Sequence, residues 1–264
     1  MRTKLFTSLL AAATTLTGVL SANTAFAFTW NNSWTQPTVY SKSQTGFDDT
    51  FFQQFVQKEK MELANAGQFL LDPENLKLKY SYNVSVFFIN EGAANRNQLA
   101  YEATGQTTSS GLIFKDISSP ESLLPNPGGP LKKGDSVNLG KITAGTQLDF
   151  FLRSDGFSLG NKANIFGTQT SSNPDSLQHV VAYAIQNSRY LLLGFEDLYG
   201  SYRAIGGKNQ YSDRDFNDAV FAVDIGEKNV KHLTAVPEPS TTAALAGLAA
   251  VSVAGLRRRN RKQG

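Results

Sequence analysis

From Leu76 to Phe88 apolar residues recur at every second position: Leu76, Leu78, Tyr80, Tyr82, Val84, Val86 and Phe88 alternate with Lys77, Lys79, Ser81, Asn83, Ser85 and Phe87. Successive side chains of a strand point to opposite faces, so a period of two sustained over this length specifies a half-buried β-strand and not a helix. The runs Leu112 to Ile117, Gln147 to Arg153, His179 to Gln186, Tyr190 to Phe195 and Phe216 to Ile225 also read as strands, separated by Gly, Asn, Ser and Pro clusters. Strands of this kind bury their apolar faces by packing sheet on sheet. The expected fold class is therefore mainly β, an antiparallel β-sandwich of jelly-roll-like form. One helix is expected after Asp48 or Asp49 as N-cap, because Phe52, Phe55, Val56, Leu63 and Ala66 fall near one helical face; its expected place is one end of the sandwich. The Pro/Gly-rich stretch Ser118 to Gly134 is expected to be an exposed loop.

A formal charge of +3 would suit a partner rich in phosphate, but the basic residues crowd the ends of the chain. Between Phe28 and Ala235 there are 18 basic and 21 acidic side chains, a net charge of −3. Such a body cannot neutralise a row of phosphates by bulk electrostatics, so nucleic acid is not the expected partner. There is no cysteine, and the fold must rest on its core or on bound metal.

Both ends read as addresses. Arg2 and Lys4 precede the apolar run Leu5 to Leu20, and Ala25-Phe26-Ala27 has the small-x-small pattern that signal peptidase cuts, so the mature chain is expected to start at Phe28. The run is short and broken by Thr7, Ser8, Thr14, Thr15 and Thr17, which favours export over a membrane span. At the other end Pro237-Glu238-Pro239 precedes an Ala/Leu/Val/Gly run, Thr241 to Leu256, and then Arg257, Arg258, Arg259, Arg261 and Lys262. A helix over Ala243 to Leu256 would rise about 21 Å, less than a bilayer core of about 30 Å. A span this marginal, held by a basic plug on the cytoplasmic side, suits transient retention at the inner membrane through 241–256.

This tail resembles the PEP-CTERM sorting signal, whose Pro-Glu-Pro, apolar run and Arg cluster are all present. The resemblance implies a substrate of exosortase, a membrane transpeptidase-like protease that removes such tails, in a Gram-negative bacterium. It also implies an association with exopolysaccharide and biofilm. Ala27, Pro237, Glu238 and Pro239 are then the processing residues. The expected division is a signal peptide over 1–27, an N-terminal segment with the short helix over 28–75, the sandwich over 76–235 and the sorting signal over 236–264.

The chemistry is concentrated in two short stretches. Asp213-Arg214-Asp215-Phe216-Asn217-Asp218 places four oxygen-bearing side chains in six residues, and Gly194-Phe195-Glu196-Asp197-Leu198 adds two carboxylates. Calcium takes six to eight oxygen ligands, and a D-x-D-x-N spacing in a turn aims several at one point. The expected metal ligands are Asp213, Asp215, Asn217 and Asp218 with Glu196 or Asp197, and the expected cofactor is calcium. An EF-hand is rejected although Asp224 stands twelfth from Asp213, because Asp218 occupies the position of the turn glycine and Ala219 to Val223 reads as strand. Asp and Asn also open hairpins by bonding their own backbone, and spacing alone leaves that metal-free reading open. Gly194 to Leu198 with Ser212 to Val223 is similar to the hallmark of the domain-of-unknown-function 4114 family, a G-F-E-D-L stretch followed by D-x-D-[FY]-N-D and a hydrophobic strand. That resemblance implies an exported, calcium-associated, adhesin-like surface domain. Here fourteen residues, Tyr199 to Ser212, separate the two motifs.

Other features yield less. Gly156-Phe157-Ser158-Leu159-Gly160 fits the G-x-S-x-G nucleophile elbow, but Asn161, Lys162, Asn164 and Gly167 do not continue as the helix that the elbow needs. His179 reads as a strand-edge residue with no cysteine or second nearby histidine to make a zinc site. Tyr199, Tyr202 and Tyr211, in the loop between the acidic motifs, are candidates for stacking on a glycan, as are Trp30 and Trp34. The expected function is a non-enzymatic, exported cell-surface or extracellular-matrix protein, a calcium-stabilised sandwich that binds glycan or exopolysaccharide. The alternative is a secreted glycosidase-like carbohydrate-active enzyme, which would need two carboxyls about 5 to 9.5 Å apart across a cleft.

Overall fold

The structure, a computed structural model, describes residues 28–56, 69–124 and 128–235. The expected signal peptide, the expected processing residues Ala27, Pro237, Glu238 and Pro239, the apolar run 241–256, and Leu63 and Ala66 of the expected helix lie outside the described residues. Among the described residues no helix is long and apolar enough to cross a membrane.

Among the described residues ten strands form two antiparallel sheets. They are β1 (Phe69–Leu71), β2 (Tyr82–Asn90), β3 (Asn97–Thr104), β4 (Ser109–Ile117), β5 (Ser136–Ile142), β6 (Gln147–Arg153), β7 (Ile165–Gly167), β8 (Val180–Ala184), β9 (Tyr190–Phe195) and β10 (Ala219–Asp224). One sheet has the order β1-β8-β9-β10-β2-β5 and the other β4-β3-β6-β7. Alternation builds the core between them. Val84, Val86 and Phe88 of β2, Leu191, Leu193 and Phe195 of β9 and Phe221 and Val223 of β10 meet Leu99, Phe114, Leu148, Phe150 and Leu152 from the other sheet. Phe221 is the hub, stacked on Phe114 across the sandwich at 5.8 Å between ring centres and touching Phe195 edge-on at 5.9 Å. At roughly 1.5 to 3 kcal/mol for each fully buried large apolar side chain, these rings are a principal source of stability in a chain without disulfides.

The long alternating run serves both sheets. Its ladder in the six-stranded sheet begins only at Tyr82. Leu76 and Leu78 are buried, but their backbone bonds run to Leu148, Gly145 and Thr146, at and just before the start of β6. Between the two parts, Tyr80 is half exposed and its backbone is clamped by both ends of the Asn229 amide. Asn229 belongs to α4 (Glu227–Ala235), a helix that sequence periodicity did not announce.

The described part of the helix expected after Asp48 or Asp49 is a single turn, α2 (Thr50–Gln53), preceded by another single turn, α1 (Lys42–Thr45), and it does not sit at an end of the sandwich. The Asp49 carboxylate makes no cap bond, because it is paired with Lys42 at 2.9 Å and accepts from Gln53 at 2.9 Å. Phe47, Phe52, Phe55 and Val56 instead cover the outer face of the six-stranded sheet, against Phe87, Ile89, Leu192, Val220 and Ala222. The reason lies in β2, β9 and β10, which are apolar on both faces at this end and so need a second cover. The loop after β4 is also less exposed than expected, since Ser118, Ser119 and Leu131 are buried.

Candidate metal centre

The chain brings its two acidic motifs together through one hairpin. In the β9–β10 ladder Phe195 faces Ala219, so the next residues outward, Glu196 and Asp218, emerge side by side at the strand ends. The fourteen-residue interval is therefore an excursion that leaves the register intact. Backbone bonds between Tyr199 and Gln210, Arg203 and Ser212, and Tyr211 and Ala204 fold it back on itself. Residues Tyr211, Arg214 and Phe216 adopt positive φ of 63°, 57° and 60°, each at a cost of roughly 1 to 2 kcal/mol for a residue with a Cβ. These reversals turn Ser212, Asp215 and Asn217 inward and leave Asp213 exposed.

Ligand oxygens of Glu196, Asp215 and Asp218 lie within 4.8 Å of one another, and all three residues are buried. Glu196 is fully buried; Oε1 accepts the Leu198 N–H, whereas Oε2 has no hydrogen-bond partner. The Asp215 carboxylate is oriented by the Asn217 backbone N–H at 3.0 Å and side-chain amide at 2.8 Å. Asp218 accepts the Asp197 N–H at 2.8 Å. Asp197 itself turns away, its Oδ2 accepting from Asn97 at 2.6 Å and Asn95 at 3.2 Å at the start of β3. Asn217 fits against Gly92 just after β2, where a Cβ would come within 2.6 Å of its Oδ1 and would force that side chain to shift. Of the expected ligands, then, Glu196, Asp215 and Asp218 converge; Asp197 and Asn217 border the group, and Asp213 lies on the surface.

Electrostatics agree with this geometry. Burial pushes the Glu196 carboxyl up to about 7, with Asp197 and Asp213 adding repulsion and the neighbouring Ser212 offsetting only part of it. Burial likewise raises Asp197 to about 6 against the opposing Asn97 and Asn95 amides. Asp218 is raised well above the usual carboxylate range, first by burial and then by Asp197 and Glu196. No salt bridge reaches these carboxylates among the described residues. A hard divalent cation would supply the missing charge and a partner for Glu196 Oε2.

Behind the centre lies a part of the site that the sequence concealed. His179 is not a strand-edge residue: it is fully buried, stacked on Phe166 at 3.7 Å. Its Nδ1 meets the Glu196 carbonyl at 2.9 Å and its Nε2 the Asp175 carboxylate at 2.9 Å, while Glu196 N–H donates to the His179 carbonyl. With acceptors on both sides, the ring satisfies both bonds only with a proton on each nitrogen. Burial pushes its pKa down and opposes that state, while the Glu196 carbonyl and Asp175 favour it. Asp175 also accepts the Gly200 and Leu177 N–H groups, which with His179 outweigh its own burial and hold its pKa below the usual range. Asp175 thus anchors both Glu196 and the start of the loop, although it stands outside either motif.

The tyrosines of the loop differ in availability. Tyr199 is half buried, and its hydroxyl reaches the Pro174 carbonyl at 3.4 Å. Tyr202 and Tyr211 are exposed, with the Arg203 guanidinium 4.9 Å from the centre of the Tyr202 ring. Trp30 and Trp34 pack on each other and on Phe28, which stacks on Phe151 of the four-stranded sheet. Ser158 is exposed on α3 (Gly156–Leu159), a single turn too short to serve as the helix of a nucleophile elbow.

Residues 142–226 match the family model of the domain of unknown function DUF4114. The match runs from the last residue of β5 past the end of β10 and encloses both acidic motifs. Residues 235–260 match the PEP-CTERM protein-sorting motif, which marks the chain as an exported, exosortase-processed surface protein of the Gram-negative type. No curated protein and no solved structure matches the chain.

Proposed function

We propose that the DUF4114 region of this exported protein is a calcium-stabilised, non-enzymatic β-sandwich that acts at the cell surface or in the extracellular matrix by binding polysaccharide. The observation that carries the metal reading is Glu196 Oε2, a fully buried carboxylate oxygen without a partner, in a group of three carboxylates whose oxygens lie within 4.8 Å. Calcium suits this set better than magnesium, because its coordination is flexible and it readily accepts several carboxylates, whereas magnesium demands a rigid octahedron and holds its water. Glu196, Asp215 and Asp218 would bind the ion directly, with Asp213, Asp197 and Asn217 at hand to complete or orient the shell. The ion would then fix the neck of the loop that displays Tyr202 and Tyr211.

Calorimetric titration of the mature protein tests the metal reading: one calcium ion per chain is expected, with Kd of about 0.1 to 1 mM as in extracellular modules. Absence of a binding heat and of any calcium-dependent spectral change would return the acidic motif to a metal-free turn. Intact mass of native material tests the processing, with Phe28 as the expected first residue and loss of Leu245 to Gly264.

A further inference from the structure

The outer face of the six-stranded sheet changes character halfway along its strands. Near the acidic end it is apolar, with Phe87, Leu192, Val220 and Ala222, and it is covered by Phe47, Phe52, Phe55 and Val56. One cross-strand row further, Asn138, Ser85, Asp224 and Tyr190 stand in register across β5, β2, β10 and β9. This row marks where the apolar cover ends and the outer face of the sheet meets solvent.

A β-bulge extends the polar face. The β2–β5 register shifts between Val84 and Ser85, where Gly140 takes a φ of 81° and its N–H donates to Asn138 Oδ1 at 2.6 Å. The extra residue brings Lys141 opposite Asn83, on the same face as Ser85 and Asn138. Without it Lys141 would pair with Tyr82 and point to the sandwich interior. Bulges that re-aim a single side chain recur beside binding sites.

These residues line a solvent-open cavity of about 560 Å³ formed by Ser81, Tyr82, Asn83, Ser85, Asn138, Lys141, Arg189 and Asp224. A second cavity of about 430 Å³ adjoins it, sharing Tyr82 and Arg189 and continuing over Asn187, Ser188, Tyr190 and Glu227. Arg189 is committed, paired with Asp224 at 2.6 Å and bonded to the Tyr82 hydroxyl. Asn83, Ser85 and Lys141 have no side-chain partner among the described residues. Amides and hydroxyls free to both donate and accept match sugar hydroxyls, the Tyr82 and Tyr190 rings offer apolar edges, and Lys141 is an unpaired cation. Two linked cavities along one groove suit a chain and not a single small molecule.

We propose that this groove, with Lys141 turned into it by the bulge, binds an acidic oligosaccharide whose carboxylate meets Lys141 and whose hydroxyls meet Asn83, Ser85 and Asn138. The inference deepens the polysaccharide-binding reading above by naming the ligand class and the site, and it needs no calcium. The groove lies at the far end of β10 from the metal centre, about 17 Å along a six-residue strand.

The test is an NMR titration of the isotopically labelled mature protein with hyaluronan oligosaccharides and, separately, with uncharged chito-oligosaccharides, each in chelator and in saturating calcium. The expected result is shifts at the amides of 81–85, 138–141 and 187–190 with hyaluronan, weaker binding of the neutral probe, and a loss of affinity of about tenfold or more in Lys141→Glu. Lys141 is exposed, so this variant should fold, and an unchanged melting temperature in chelator confirms that it does. Tyr202→Ala should leave hyaluronan binding unchanged. Equal affinity for both probes, shifts confined to 199–212, retained affinity in Lys141→Glu, or no response to either probe would overturn the proposal. Groove binding without a calcium effect would sink the metal reading alone, and a calcium effect without groove binding would sink this one alone.

Discussion

At one end of β10, Asp218 lies beside Glu196 and Asp215, and neither Asp218 nor Glu196 is in a salt bridge among the described residues; at the other, six residues on, Asp224 meets Arg189 at 2.6 Å. The sheet thus carries two buried acidic sites of opposite type. Asp224 is balanced within the chain, its guanidinium partner being half exposed and free to reach it from solvent. Glu196 and Asp218 have no salt bridge among the described residues, and Asn97, Asn95, His179 and Asp175 orient the neighbouring backbone and carboxylates without neutralising them. A carboxylate buried with its own counter-charge is structural, whereas several buried together without one are the arrangement on which the calcium proposal rests.

The contrast is broken most sharply by calcium itself. At free calcium of about 100 times Kd, linkage contributes about 2.7 kcal/mol, and a domain of this size gains roughly 2 to 4 °C per kcal/mol, so the melting temperature should rise by about 5 to 10 °C over chelator. Magnesium should do much less, and Asp215→Ala should abolish the shift. Equal curves in chelator and calcium would leave the two ends of β10 without the distinction drawn here.

Asp175→Ala should come next, at about 2 kcal/mol, because it strips a fully buried His179 and the Gly200 N–H of their acceptor. Since His179 holds the Glu196 carbonyl, calcium affinity should fall as well. A calcium shift of undiminished size in this variant would show that the trio does not depend on the support behind it.

The pH response separates the two ends further. A carboxyl whose folded pKa is raised stabilises the fold below its ordinary value and loses that contribution as pH rises through the folded one. In chelator, Glu196 at about 7 should therefore add about 1 kcal/mol between pH 8 and pH 6.5, with Asp218, also raised by burial, acting in the same direction and His179, pushed down by burial, opposing it. In saturating calcium the sign should reverse, because protons then compete with the ion for the same oxygens. Melting curves at the two pH values with and without chelator read this directly, and a common slope would contradict it.

Arg189→Ala should be mildest, about 0.5 kcal/mol, the usual scale of a partly exposed ion pair, and identical with and without calcium. A calcium-dependent cost would mean that the two ends communicate through β10.

Much of the fold was legible because strand periodicity is a local property. Gln147–Arg153 and Tyr190–Phe195 have the bounds read from the sequence, and Phe216 to Ile225 contains β10. β3 and β5 were not legible: Asn97 and Gln98 place amides in buried strand positions, and the bulge at Gly140 breaks the alternation of β5. The helix over Phe52 to Ala66 looked amphipathic in sequence, yet its described part is a single turn whose phenylalanines follow an apolar sheet face instead of a helical stripe.

The sequence by itself determined the sorting motif at the C-terminal end, the strand-rich body and the two clusters of acidic residues, because each depends on residues close together in the chain. Which acids meet was decided by tertiary structure. Glu196 and Asp218 are joined by the β9–β10 register across an interval that made their meeting look remote, while Asp213, inside the motif, faces solvent. Asp175 and His179 lie in neither motif and yet hold the centre from behind, and a one-residue bulge sends Lys141 to the outer face. Pairing register and burial arise from contacts between distant segments, and the position of a side chain within a motif does not specify them.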